Sequence, residues 1–299
     1  MNSRHEAGAS RQRSLGLAST ALSRQLSYRL APAIQKLMHT TTMDLNCDMG
    51  EGFGPWKMGD DAALMPLISS ANIACGYHAG DPVVMRDTVR LALAHGVAIG
   101  AHPGYPDLQG FGRRNLPMSA DEVYAMVLYQ IGALQAIAKA EGGVLHHVKP
   151  HGALYNAAAK QRELAEAIVQ AVCKIQQAEL FLYGLSGSVL LEVAEAHGLR
   201  VCREAFCDRS YQNDGSLTPR NLPGAVVDNP EAAAKRALQL AQQQRIETAD
   251  QTLIAVPCDT ICIHGDSANA VAIARAVREL LEMEGLQVAA PTLPFPSTP

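Results

Sequence analysis

From residue 43 onward one unit recurs seven times: a short apolar run, a polar or Gly-rich turn, then a longer amphipathic stretch. The runs span 43–47, 71–75, 97–101, 144–148, 180–185, 200–206 and 260–263. They are short and almost continuously apolar, as strands buried on both faces of a parallel sheet are. The stretches between them carry helix signals. Residues 82–95 start with Asp81 as an N-cap and Pro82 in the first turn, and stop at Gly96. Ser119-Ala-Asp-Glu122 forms a capping box that opens a helix to about residue 141, before Gly142-Gly143. Further helices are predicted over 162–177, 189–197, from Asn229-Pro230 to 244, and from Ser267 as a cap to near 285. This alternation predicts an α/β fold with a single domain over 43–290, either a (β/α) barrel or a doubly wound open sheet. Both need buried parallel strands, so periodicity leaves the two open.

The first 42 residues break the pattern. They hold five Arg and one Lys against the single acid Glu6, are rich in Ser and Ala, and contain no long apolar run. Such a stretch suits a transit peptide, a disordered extension, or residues upstream of a true start at Met43; the last two are the expectation here. Residues 291–299 are expected to be a flexible tail. A net charge of -4 gives no reason to expect a nucleic acid or an anionic membrane as partner, and no run of about 18 apolar residues predicts a membrane span. The seven Cys are an odd number without a C-x-x-C pair, which suits reduced thiols in a cytoplasm.

In folds of this class the site lies where the strands end and the βα loops converge. After the first run come Asn46, Asp48 and the loop Met49-Gly-Glu-Gly-Phe-Gly54. The second leads into Cys75-Gly-Tyr-His78-Ala-Gly-Asp81, and the third into His102 and then Gly110-Phe-Gly-Arg-Arg114. The fourth carries His146, His147, Lys149 and His151, the fifth Ser186-Gly-Ser188, the sixth Glu204 and Asp208, and the seventh His264 and Asp266. Six of the ten His fall within or just after these runs. Histidines of a solvated surface would scatter over helix faces instead. Asn46 and Asp48 alternate on one strand and so point to one side, although an Asp before a Gly-rich loop also bonds its own backbone. His146 and His147 are adjacent, so at most one of them faces the site. Lys149 suits a carboxylate or phosphate as a point charge, and Arg113 as a guanidinium fork. There is no P-loop, no G-x-S-x-G elbow and no H-E-x-x-H.

Several long motifs together resemble the LamB/YcsF family. They are D-L-N-C-D-M-G-E-G-F-G-P-W-K-M-G-D-D (44–61), S-A-N-I-A-C-G-Y-H-A-G-D-P (70–82), G-A-H-P-G-Y-P-D-L-Q-G-F-G-R-R (100–114), H-V-K-P-H-G-A-L-Y-N (147–156), R-S-Y-Q-N-D-G-S-L-T-P-R (209–220) and D-T-I-C-I-H-G-D (259–266). The likeness runs from Met43 to about Gly285. It implies a seven-stranded barrel similar to that of glycoside hydrolases and deacetylases. It also implies the ATP-dependent opening of 5-oxo-L-proline to L-glutamate, carried out with subunits B and C of a 5-oxoprolinase. ATP is then handled with or by those partners, as the lack of a P-loop here suggests.

On that footing Asp48 is the expected general base, His102 or His151 the proton shuttle, and Lys149 the holder of a carboxylate or phosphate. Asn46, His78, Arg113, His147, Glu204, His264 and Asp266 are expected to bind substrate. Two rival classes stay open: a metal-dependent amidohydrolase or deacetylase with Asp48, His78 and His102 as ligands, and a non-catalytic protein that only binds a lactam within the complex.

Overall fold

In the computed structural model, which describes residues 42–175 and 180–292, each of the seven apolar runs is a strand. They are β1 (Thr42–Met49), β2 (Ser70–Ala74), β3 (Ala98–His102), β4 (Leu145–Val148), β5 (Phe181–Leu185), β6 (Arg200–Phe206) and β9 (Thr260–Ile263). All are parallel, paired in the order β1-β2-β3-β4-β5-β6-β9. The ring closes because β9 also pairs with β1, Asp44 opposite Thr260 and Cys47 opposite Ile263. A doubly wound sheet would leave two edges, so this last pairing decides for the barrel.

Residue parity on β1 divides the two faces. Leu45, Cys47 and Met49 pack outward in the apolar core. Asp44, Asn46 and Asp48 point to the barrel axis, where they meet side chains from distant strands. The outer layer is α2 (Pro82–His95), α3 (Ala120–Ala140), α5 (Arg162–Lys174), α6 (Val189–Ala196), α7 (Pro230–Gln243) and α8 (Ala270–Met283). The predicted caps hold: Asp81 accepts from Val83 and Val84 N–H, and Ser119 with Glu122 closes a reciprocal box. Helix α3 is long and apolar enough in composition to cross a membrane. Its residues Val123, Val127, Ile131 and Leu134 are buried against the protein, as a core helix requires.

The structure also departs from the expectations. Helix α5 ends at Lys174, and residues 176–179 lie outside the described part. Helix α8 starts at Ala270 after Asn269, three residues beyond the cap assigned to Ser267. Short elements escaped the periodicity: α1 (Asp61–Leu64), the single turn 65–67, α4 (Gly152–Ala158), the hairpin β7 (Arg245–Glu247) with β8 (Leu253–Ala255), and β10 (Gln287–Val288) beside the start of β1. Each is too brief to show a period. The expected tail begins later than 291, since the Pro291 carbonyl accepts a hydrogen bond from His146 Nε2 at 2.8 Å. Residues 1–41 and 293–299 lie outside the described part, so neither the extension nor the rest of the tail is addressed.

Candidate active site

The barrel axis is filled by polar side chains in layers, each satisfying the next. At the base the Asp44 carboxylate accepts from Ser69 (2.6 Å), Ser70 (2.8 Å), Thr260 (2.6 Å) and Tyr183 (3.0 Å). Burial pushes its pKa up, and these four hydroxyls work against the rise. Above it, Asn46 donates to Thr260, while Asn72 donates to both Asn46 (2.7 Å) and Asp48 (2.9 Å). His147 Nε2 reaches Asn72 at 2.8 Å and its ring stacks on Tyr183 at 4.1 Å. Room for that ring comes from Gly100, where a Cβ would lie 2.0 Å from His147 Nε2. Buried polar groups are tolerable only when paired in this way.

At the mouth Lys149 is 3% exposed and gathers four partners. Its ammonium lies 3.0 Å from Asn46 Oδ1, 3.0 Å from Asp48 Oδ1, 3.1 Å from Cys262 Sγ and 2.8 Å from Glu204 Oε1. Tyr155 OH donates to the other Glu204 oxygen at 2.7 Å. Burial opposes the charge on Lys149, but the nearby acids, Asp48 foremost, hold its pKa well above the usual lysine value. Burial alone would likewise raise Asp48, yet His102 and Lys149 outweigh it and hold the carboxyl well below its usual range. Asp48 and Lys149 are therefore a charged pair at neutral pH.

Beside this pair stands a histidine cluster. His102 Nε2 is 3.4 Å from Asp48 Oδ2 and 2.9 Å from His151 Nδ1. His78 stacks on His151 with ring centroids 3.8 Å apart. Glu51 Oε1 lies 3.4 Å from His78 Nε2 and 3.7 Å from His151 Nδ1. Burial first, then the neighbouring imidazoles, push His78 and His151 well below the usual histidine pKa, so both rings are neutral. Burial and then the Asp48 charge push Glu51 well up. Glu51, His78, His102 and His151 each bring a donor atom within 4.8 Å of the others, so these four could hold a cation. Two of the expected metal ligands, His78 and His102, belong to this set, whereas Asp48 is engaged by Lys149.

A cleft of about 680 Å³ opens on this floor, lined among others by His102, Lys149, His151, Arg113, Arg209 and Arg220. A smaller hollow of about 310 Å³ reaches the same cluster through Glu51 and His78, with Phe53, Trp56 and Phe111 around it. Arg209 donates to the Ala225 and Thr218 carbonyls, and its burial followed by the Arg220 charge lowers its pKa to about 10.

The structure thus brings Asn46, Asp48, His78, His102, Lys149, His151 and Glu204 into one network. Asn46 and His147 sit a layer below the cleft floor, fully buried and outside its lining. Arg113 pairs with Asp266 at 2.6 Å on the rim, and His264 pairs with Asp208 at 2.8 Å. Glu51, Asn72, Tyr155 and Asp208 are network members that strand-end reasoning did not single out. Glu51 could have been found, since it stands alone among glycines in the first βα loop. Asn72 could have been found as a polar residue inside an apolar strand.

The LamB/YcsF family model matches residues 43–294. Among curated relatives, the 5-oxoprolinase A-type chain of Tolumonas auensis is 55% identical over 248 residues, covering 83% of this chain and 98% of that protein. The Bordetella pertussis protein of the same name is 51% identical over 248 residues, with the same shares. A crystal structure of a lactam utilization protein from Thermus thermophilus superposes with a TM-score of 0.79 at 53% identity, covering 83% of this chain and 99% of that one. An Enterococcus faecalis structure at 15% identity and TM-score 0.51 covers 84% of this chain and 97% of that one, and speaks to the fold alone.

Proposed function

Since the chain belongs to the LamB/YcsF family, we propose that it is the ring-opening component of an ATP-dependent 5-oxoprolinase. The substrate is 5-oxo-L-proline, the product L-glutamate, and the partners are subunits B and C. The names of the relatives support an enzyme of several chains. The chain lacks a P-loop, so the ATP step falls to or is shared with the partners. Seven free thiols, six of them buried, suit a reducing cytoplasm.

A five-membered lactam is an unstrained amide, and phosphorylation of its oxygen activates the ring carbon. Water then adds to that carbon and gives up a proton. The carbon–nitrogen bond breaks, the nitrogen takes a proton, and a γ-carboxyl phosphate remains. A second water hydrolyses that phosphate to glutamate and inorganic phosphate. Asp48, charged at neutral pH, accepts the proton from water, and His102 or His151 returns one to the leaving nitrogen. A carboxylate held as low as Asp48 is a weak base, so its charge and its hold on Lys149 and His102 matter as much as proton removal. The cleft wall favours an anion: Arg220 and Arg113 both bear on the buried Arg209, and a carboxylate or phosphate between them relieves that repulsion.

The observation that carries this reading is the convergence of the family motifs on one cleft floor, Asp48, His102, Lys149 and His151. The test is co-expression with the two partners and an assay of glutamate from 5-oxoproline. Turnover is expected only with ATP and all three chains. Hydrolysis of ATP or of 5-oxoproline by the isolated chain would overturn the division of labour. Full complex activity with Asp48→Asn would instead favour the non-catalytic reading.

A further inference from the structure

The tautomers of the histidine cluster follow from its partners. His102 Nδ1 lies 2.7 Å from the Lys149 carbonyl oxygen, and His151 Nε2 lies 2.8 Å from the Phe111 carbonyl oxygen. A carbonyl only accepts, so each of these nitrogens carries a hydrogen. A neutral imidazole has one N–H, which leaves His102 Nε2 and His151 Nδ1 bare. Those two bare nitrogens face each other at 2.9 Å. Lone pairs at that distance repel.

The surroundings add further acceptors. Glu51 Oε1 is buried without a hydrogen-bond donor, and neither His78 nitrogen has a partner. Glu51 and His78 are 6% and 1% exposed, so bulk water does not serve them. Asp48 Oδ2 adds a fourth acceptor, 3.4 Å from His102 Nε2. One proton shared between His102 and His151 would still leave Glu51 Oε1 and His78 unsatisfied. The adjoining group differs. Asp48, Cys262 and His264 also bring donor atoms within 4.8 Å of one another, but there the Lys149 ammonium supplies the positive charge, 3.0 Å from Asp48 and 3.1 Å from Cys262. The histidine cluster has no such cation among the described side chains. Its rings are fixed in the manner of metal ligands, with the far N–H of His102 and of His151 donated to a backbone carbonyl. Close backbone lets the rings gather: a Cβ on Gly104 would lie 2.7 Å from His78 Nδ1, and one on Gly112 would lie 2.8 Å from His151 Cδ2.

We propose that Glu51, His78, His102 and His151 bind one first-row divalent cation, a donor set of three imidazoles and a carboxylate suited to zinc, manganese or iron(II). Bound there, the cation would acidify a water or polarise the lactam oxygen at the cleft floor. This use rests on the ring-opening reading, whereas the binding does not.

The test reads binding directly on the full chain, stripped with a chelator and dialysed. Zinc chloride or manganese chloride is titrated in by calorimetry, with elemental analysis for stoichiometry. One ion per chain is expected, together with a Tm that climbs with metal concentration. Glu51→Gln, which keeps the shape and removes the charge, should weaken binding on the order of 10–100-fold. His102→Ala/His151→Ala should abolish it, with far-UV circular dichroism confirming the fold. The proposal is overturned if the stripped chain takes up none of zinc, manganese or iron(II) at millimolar concentration. It is equally overturned if Glu51→Gln binds as tightly as the wild type. Neither outcome touches the glutamate assay, so the two proposals fail separately.

Discussion

Replacing Lys149 by Met should destabilise this barrel more than any exposed substitution, for reasons the structure makes quantitative. The ammonium lies between Asp48 and Glu204, both buried, at 3.0 and 2.8 Å. Without it, Asp48 keeps Asn72 and His102, whereas Glu204 keeps only the Tyr155 hydroxyl. Removing one partner of a buried ion pair costs about 3–5 kcal/mol. At about 2–4 °C per kcal/mol for a domain of this size, Tm should fall by roughly 6–20 °C. The pH of the assay matters. The folded pKa of Lys149 lies above its unfolded value, so its contribution is complete below about pH 10.4 and fades as pH rises through the folded value. The folded pKa of Asp48 is depressed, so its contribution is present above about pH 3.9 and fades as pH falls. Calorimetry at pH 7 therefore captures both. Lys149→Met/Glu204→Gln removes the worse orphan and should regain part of the lost Tm. A single variant within about 1 °C of wild type, or a double variant no better than the single, would refute a buried ion-paired floor.

Three further outcomes follow from neighbouring contacts. Gly100→Ala puts a methyl onto the His147 ring, so a loss of about 3 kcal/mol is expected in urea unfolding, the upper end for overpacking. Tyr155→Phe takes the donor from Glu204 Oε2 and should cost about 1–3 kcal/mol by the same measurement. Asp107 is held down to about 2, foremost by its hydrogen bond from Arg114 and also by the Gly110 N–H. Its depressed value means its stabilisation is present above about pH 4 and lost as pH falls towards 2. Asp107→Asn should flatten the Tm-against-pH profile in that window.

Much of the fold was legible because buried parallel strands advertise themselves as short apolar runs, and all seven did. Closure was not legible: it depends on β9 meeting β1, a pairing across more than two hundred residues with no local trace. Asp81 and the Ser119–Glu122 box were legible because capping is chemistry within one turn, while Ser267 shows that a cap-like residue near a helix start need not be the cap. At the site, position on a strand end pointed to Asp48, His102, Lys149 and His151. It could not show that His147 and Asn46 serve the layer beneath, because strand parity gives direction and not depth. Nor could it pair Arg113 with Asp266 or His264 with Asp208, since those contacts join different loops. Glu51 was visible in its Gly-rich loop, but only folding brings it against His78 and His151.

The central claim is that the polar mouth of this barrel opens the lactam ring. It is met most directly by measuring ATP-dependent glutamate formation from 5-oxoproline in the three-chain complex, wild type against Asp48→Asn, with complex assembly checked by gel filtration. Intact assembly is expected, with a rate lower by about 10²–10⁴-fold. An assembled Asp48→Asn complex turning over at the wild-type rate would contradict the claim.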